Sequence, residues 1–329
     1  MPTIAVVGAG IVGLTTAAHI QSLLPQAQVT IIADKFNGDT TSDGAAGLLL
    51  PAANFRGPTF DITKDWIAYS YKYYEQLLQE NCGVYEISGF MLSSVREEDV
   101  KNELMVGVAA EFRPATHQEL LQYPGNWKYG SFMTTLLICC RTFLPWLLER
   151  IKSRGATVVK RTVQDLKELS GSYDVVVNCS GLQARWLCDD IHVAPIRGQI
   201  VKVKAPTVDK FLFGDGPDTY IIPNGDGLVS LGGTCQYNVW EPTVRAHDSV
   251  GIKARCSAIL PSLQSAPVAW EWAGLRPYRH CVRVEPEWFG SSKVVHNYGH
   301  GGYGVTSAPG TARDAARLVL QLVNSHSKL

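Results

Sequence analysis

The chain opens on a short apolar run, Thr3 to Val7, which breaks at Gly8. Gly8-Ala9-Gly10-Ile11-Val12-Gly13 then leads into a helical stretch through Leu24. Pro25 stops it, because proline lacks the N–H that a continuing helix needs. Gln28 to Ala33 is a second continuous apolar run, closed by Asp34. Apolar strands separated by a helix mark a parallel sheet covered on both faces, and the segment has the length of one right-handed βαβ unit. Similar signals return late: Leu144 to Ile151 as a helix, Ala156 to Val159 and Val175 to Val177 as strands, Lys293 to His296 as a strand, and Ala312 to Val323 as an amphipathic helix. These pieces predict a discontinuous nucleotide-binding domain, 1–50, 142–190 and 287–329. The intervening 51–141 and 191–286 carry strand-like runs at Gly198 to Val203, Tyr220 to Ile222 and Leu228 to Gly233, which predict a second, mostly antiparallel β domain. The expected class is α/β, with a Rossmann-type domain in pieces.

A glycine fingerprint alone is weak. Here it follows a strand, opens a helix and is followed by an acidic residue at the end of the next strand, the context a dinucleotide site requires. Gly8 permits the tight turn, Gly10 a close approach of pyrophosphate, and Gly13 close helix–strand packing. The helix N-terminus offers unpaired N–H groups to phosphate, and Asp34 can accept both ribose hydroxyls. Beyond it, Asp39-Thr40-Thr41-Ser42-Asp43-Gly44-Ala45-Ala46-Gly47-Leu48 is rich in small and hydroxylated residues. That suits a cofactor extending further over the sheet. By these residues alone FAD is favoured, with NAD(P) left open.

The 30 basic and 30 acidic side chains balance, so net charge gives no attraction to nucleic acid or anionic membrane. The longest apolar run, Phe132 to Cys140, is far short of the ~18 residues that cross a bilayer. The N-terminus has no basic segment with a cleavage site, so no secretory signal is expected. Eight cysteines form no C-x-x-C pair and no zinc spacing with histidine, so they are expected as buried thiols without disulfide or metal. Ser327-Lys328-Leu329 ends the sequence, and a terminal Ser-Lys-Leu is an address read by the peroxisomal import receptor. The expected location is the peroxisomal matrix.

The residues quoted so far resemble the D-amino-acid oxidase and D-aspartate oxidase family. The likeness runs through GAGIVGL at 8–14, ADKF at 33–36, DTTSDGAAGLL at 39–49, FLPWL at 143–147, VVNCSG at 176–181 and PIRGQI at 195–200. It continues in TYIIP at 219–223, SLGGT at 230–234, GLRPYR at 274–279, VRVE at 282–285 and HNYGHGGYGVT at 296–306. The resemblance implies non-covalent FAD, an FAD-binding domain beside a substrate domain, and oxidative deamination of a D-amino acid by O2 to a 2-oxo acid, ammonia and hydrogen peroxide. Cofactor contacts implied are Gly8, Gly10, Ile11, Asp34, Thr40, Thr41, Ser42, Gly47, Leu48, Val163, Ser180, Gly301, Gly304, Val305 and Thr306, beside Gly13 of the fingerprint. The implied substrate contacts are Arg276 and Tyr220 for the α-carboxylate and the Gly302 carbonyl for the amine. No side chain is required as a catalytic base, and His296 and His300, which flank the glycine-rich loop, are expected to be structural or flavin-proximal rather than catalytic. Cys281, between strand-like neighbours, is expected as a packed thiol rather than a covalent flavin link.

Two departures stand out. The family continues past its glycine-rich motif with His-Trp-Gly, where this chain has Ala308-Pro309-Gly310, so the turn before the last helix is expected to differ. Gly216 stands where the mammalian lid has a second tyrosine. For substrate class the wording favours D-aspartate oxidases, but their arginines seven residues before the roof tyrosine and just after GGT are replaced by Phe213 and Cys235. An acidic side chain buried without a cation costs several kcal/mol. With Leu50 adding apolar surface, neutral D-amino acids are expected over D-aspartate and D-glutamate, with Arg56, Lys210 and His280 as the available alternative cations.

Overall fold

The computed structural model describes residues 1–52, 55–215, 218–289 and 292–325. Gly216 and the Ser327-Lys328-Leu329 terminus lie outside the described residues. Within them the strands form one 14-stranded sheet, and elements are numbered along the chain.

One end of the sheet is parallel. It comprises β1 (Thr3–Ala9), β2 (Gln28–Phe36), β6 (Thr157–Lys160), β7 (Val175–Asn178) and β14 (Ser292–His300), in the order β14-β7-β1-β2-β6. Five helices belong with the strands of this end: α1 (Ile11–Leu23), α2 (Phe60–Glu75), α4 (Cys140–Ser153), the short α5 (Ala184–Leu187) and α7 (Gly304–Asn324). The continuous apolar runs are explained by two-sided burial. Ile4 and Val6 of β1 pack with Leu14, Ala17, Leu144 and Ala315, whereas Ala5 and Val7 pack with Leu166, Leu169 and Val176 on the opposite face. Successive strand side chains alternate faces, so a strand covered on both sides needs apolar residues at every position.

The rest of the sheet holds β3 (Val84–Ser93), β4 (Glu111–Pro114), β5 (Tyr129–Ile138), β8 (Ala194–Lys204), β9 (Phe211–Phe213), β10 (Tyr220–Pro223), β11 (Leu228–Gly232), β12 (Gln236–Tyr237) and β13 (Val268–Phe289). Its pairings are antiparallel except β3 with β9. The four-residue α3 (His117–Leu120) lies in the connection between β4 and β5. α6 (Ala246–Ile259) covers this end, placing Ile252, Cys256 and Ile259 against Val201, Val203, Val229 and Leu231.

The two ends meet in β13. This 22-residue strand pairs with β8 from Val268 to Tyr278 and with β14 from Tyr278 to Phe289, with an irregularity between Tyr278 and Arg283. It therefore runs unbroken past residue 287, where the sequence predicts a domain limit.

The last helix corrects an expectation. It begins at Gly304, not Ala312, and Ala308-Pro309-Gly310 lie buried inside it rather than in a preceding turn. α2, which the sequence pattern does not reveal, supplies the reason. Pro309 cannot donate to the carbonyl four residues back, and that carbonyl, Val305 O, instead accepts from the Tyr74 hydroxyl at 2.9 Å. Gly310 N donates to Ser70 Oγ at 2.9 Å. A Cβ on Gly310 would stand 2.3 Å from Trp66 O, so glycine lets the two helices touch.

Candidate active site

The fingerprint turn is fixed by space. Gly8 has φ +108°, and a Cβ there would lie 2.4 Å from Cys179 O; a Cβ on Gly13 would lie 2.0 Å from Gly8 O. Gly10 precedes α1 with no side-chain cap on the helix. The first helical N–H, on Ile11, donates to Ser42 Oγ at 3.0 Å, which ties the hydroxyl-rich segment to the fingerprint. Asp34 is exposed near the end of β2. Thr40 bonds Asn37 O through its hydroxyl, and Thr41 is exposed.

Residues 47–49 form a strap against β5. Ile138 N donates to Gly47 O and Leu49 N to Leu136 O, both at 2.8 Å. Gly47, at φ +86°, is where a Cβ would meet Ile138 O at 2.1 Å. Thr306 in the first turn of α7 reaches Leu48 O at 3.4 Å, so strap and helix start adjoin. The Asp43 carboxylate behind the strap pairs with Arg141 at 2.8 Å, whose guanidinium stacks on Trp270. Ser180 bonds Asn178 through its hydroxyl at the end of β7, and Val163 packs in the loop after β6.

These residues fit FAD. Neither α1 nor α7 is capped by the side chain of its N-cap residue, and apart from Ile11 N–H, taken by Ser42, their first turns leave N–H groups for an anion or polarised oxygen. Asp34 would hold the adenosine ribose. The N-terminus of α1, with Thr40 to Ser42, would hold pyrophosphate, and Gly47, Leu48 and Gly301 to Thr306 would hold the ring system. Bound there, the flavin supplies a two-electron acceptor.

The proposed carboxylate pair also comes together. Arg276 on β13 donates to Thr234 O at 2.9 Å and to the Tyr220 hydroxyl. Its guanidinium covers Gly198, where a Cβ would be 2.3 Å from Cζ, and its Cδ lies 3.3 Å from the Cβ position of Gly302. Tyr220 lies over Gly232, its cross-strand partner. Burial pushes its hydroxyl up to about 12 despite Arg276 nearby, so it remains a neutral hydrogen-bonding group. Phe213, the other cross-strand partner of Tyr220, has its ring 5.6 Å away. Cys235 follows Thr234, and its thiol is raised by burial and by Asp218. Leu50 is half-buried at the end of the strap. Of the alternative cations, Arg56 and His280 are exposed, while Lys210 faces Asp209 at 3.6 Å.

The two histidines fall outside this group. His300 is buried against Thr311 Oγ1 at 3.0 Å, and burial lowers it to about 3. Burial likewise lowers His296 to about 4, beside Asn178 and Glu287. Both are neutral structural groups near pH 7. Cys281 bonds the backbone at Val282 O within β13.

Four features escape the sequence reading. Tyr303, between Gly302 and α7, packs edge-on to Phe55 at 5.6 Å and shares the electrostatic environment of Arg276, Asp218, Cys235 and Tyr237. The Gly-Gly-Tyr-Gly motif was its available signal. Tyr237 bonds Cys235 from β12. Asp218 joins the cluster from the turn before β10. Lys202 is buried on β8, where desolvation lowers it to about 8. It donates to Asn224 Oδ1 at 2.6 Å, and Asn224 in turn holds Ala46 O at 3.3 Å, bracing the strap.

Comparison with known proteins shows the family. The family model described as DAO, FAD dependent oxidoreductase, matches residues 3–318. The chain is 41% identical over 331 residues to a D-aspartate oxidase from Homo sapiens, covering 98% of this chain and 96% of that one. It is 36% identical over 325 residues to a D-amino-acid oxidase from Streptomyces coelicolor, covering 96% of each. Among solved structures, a glycine oxidase from Bacillus cereus superposes with TM-score 0.82 at 18% identity, over 98% of this chain and 95% of that one, which shows the shared fold. The chain belongs to the DAO family of FAD-dependent oxidoreductases.

Proposed function

We propose that this protein oxidatively deaminates D-amino acids with O2 and favours neutral side chains over acidic ones. The observation that carries the reading is the Arg276–Tyr220 pair beside Gly302, with Phe213 and Cys235 at its edge. Arg276 and Tyr220 orient the α-carboxylate, and a guanidinium fork fixes it in two directions. The Gly302 carbonyl accepts from the amine and turns Cα–H toward the cofactor. The substrate gives up its Cα hydrogen with two electrons and one amine proton. The resulting imino acid takes up water to form a 2-oxo acid and ammonia, and O2 ends as hydrogen peroxide. Burial makes His296 and His300 weak proton acceptors and both are engaged structurally, which fits a reaction without a side-chain base.

Peroxide release from D-alanine, D-methionine, D-phenylalanine and D-aspartate tests the assignment. The neutral substrates should give the higher kcat/KM; a more than tenfold advantage for D-aspartate would overturn the preference. The human relative named D-aspartate oxidase supports that second reading, which needs a cation reaching the substrate side chain by another route.

Non-covalent flavin is part of the proposal, supported by Cys281 lying engaged within a strand. Acid precipitation should leave a yellow supernatant; a yellow pellet contradicts it. So is peroxisomal import through Ser327-Lys328-Leu329. A reporter carrying these residues at its free terminus should enter peroxisomes, and a diffuse cytosolic signal rejects the address.

A further inference from the structure

A carboxylate beside the Arg276–Tyr220 pair has no part in the reading above. Asp218 stands at φ +67°, in the left-handed region that aspartate tolerates. Its Oδ2 is buried without a hydrogen-bond partner among the described residues. Its charge acts on Tyr220, Cys235 and Tyr303, which Arg276 also influences, and on the more exposed Tyr237. The nearby cation Arg255 is engaged elsewhere, donating to Gly233 O at 2.7 Å and to Thr219 Oγ1 at 3.2 Å. Among the described residues, no lysine or arginine lies within ion-pair distance of Asp218. The neighbouring Cys235 thiol is neutral and leaves Oδ2 without a donor. A buried carboxylate oxygen left unpaired is costly unless a ligand supplies the donor.

We propose that Asp218 is a specificity-determining residue that receives the cationic side chain of basic D-amino acids such as D-lysine and D-arginine, and repels D-aspartate and D-glutamate. This deepens the reading above and rests on Arg276 anchoring the α-carboxylate. With that end fixed, the far end of an extended side chain meets Asp218 instead of the cation an acidic side chain needs. The pocket is then polarised, with a guanidinium for the backbone end and a carboxylate for the distal end.

The test is anaerobic flavin reduction of the holoenzyme by D-lysine and by D-norleucine, which has a butyl side chain ending in methyl instead of aminobutyl. The measurement separates dissociation constant from reduction rate. In Asp218→Asn, the preference for D-lysine in dissociation constant should fall by about tenfold or more. The D-norleucine measurement corrects for any general change in the pocket. Asp218→Gly, which suits the same φ, serves if the asparagine variant does not hold flavin. A preference unchanged within about twofold in both variants overturns the assignment. If the wild type instead reduces fastest with D-aspartate, the neutral-substrate reading itself fails. If neutral substrates lead but the D-lysine preference ignores Asp218, only this inference fails.

Discussion

Replacing Arg276 by leucine is expected to lower kcat/KM by roughly two to three powers of ten, or about 3–4 kcal/mol of transition-state stabilisation. The loss should fall on substrate, not on the cofactor. Among the described residues, no carboxylate pairs with Arg276; its protein partners are the Thr234 carbonyl and the Tyr220 hydroxyl. Gly198 and Gly302 leave it room that any side chain would take. A guanidinium placed this way has donors to spare for an incoming anion. Leucine fills part of the volume and leaves the substrate carboxylate buried against a lone tyrosine. The variant should retain flavin with an unchanged visible spectrum while KM rises steeply in steady-state peroxide assays. Near-wild-type kinetics would show that Arg276 is not the anchor.

Gly13→Ala should have the other large effect, on folding and cofactor retention together. Its Cβ would fall 2.0 Å from Gly8 O and 2.8 Å from Gly8 C. Neither atom belongs to a flexible side chain, so α1 must move off β1 or the turn must deform. Overpacking of this kind costs about 3 kcal/mol, enough to lower Tm by roughly 4–5 °C in a chain of this size. The displaced turn also carries the N-terminus of α1, so purified protein should be largely flavin-free. Gly38→Ala is the control. No atom stands within 4 Å of its Cβ position, and its Tm should stay within about 1–2 °C of wild type. Equal stability and flavin content in the two variants would mean the close contact is not structural.

Local chemistry explains what the sequence disclosed. A glycine fingerprint between two apolar strands is legible because tight turns and close contacts restrict the residue at each point, and β1, α1 and β2 follow it. The Arg276–Tyr220–Gly302 constellation was legible only through motif resemblance, since its members come from β13, β10 and the turn before α7. Other elements were hidden by tertiary effects. The start of α7 contains Gly304, Pro309 and Gly310, which read as loop until the hydroxyls of Tyr74 and Ser70 satisfy the backbone. α2 had a usable cap, Thr59, whose side chain accepts from Ile62 N at 3.2 Å, but its buried face mixes aromatics with Thr63 and Ser70. β13 did not read as one strand because its two halves serve different neighbours and its pattern changes with them. Asp218 and Tyr237 carry no motif, and their relation to Arg276 exists only once the sheet has formed.

The long strand β13 also has a mechanical consequence. Many two-part enzymes open by bending a linker, with each part moving as a body. Here the cofactor end and the substrate end share one strand, paired with β8 on one stretch and with β14 on the other, with an irregularity between Tyr278 and Arg283. Bending it would break backbone hydrogen bonds in both ladders, so traffic of substrate and product falls to surface loops. For the same reason the two ends cannot be separated by cutting the chain near residue 287, since β14 would lose most of the β13 stretch it pairs with and be left with an exposed edge. Heating should melt them in a single transition.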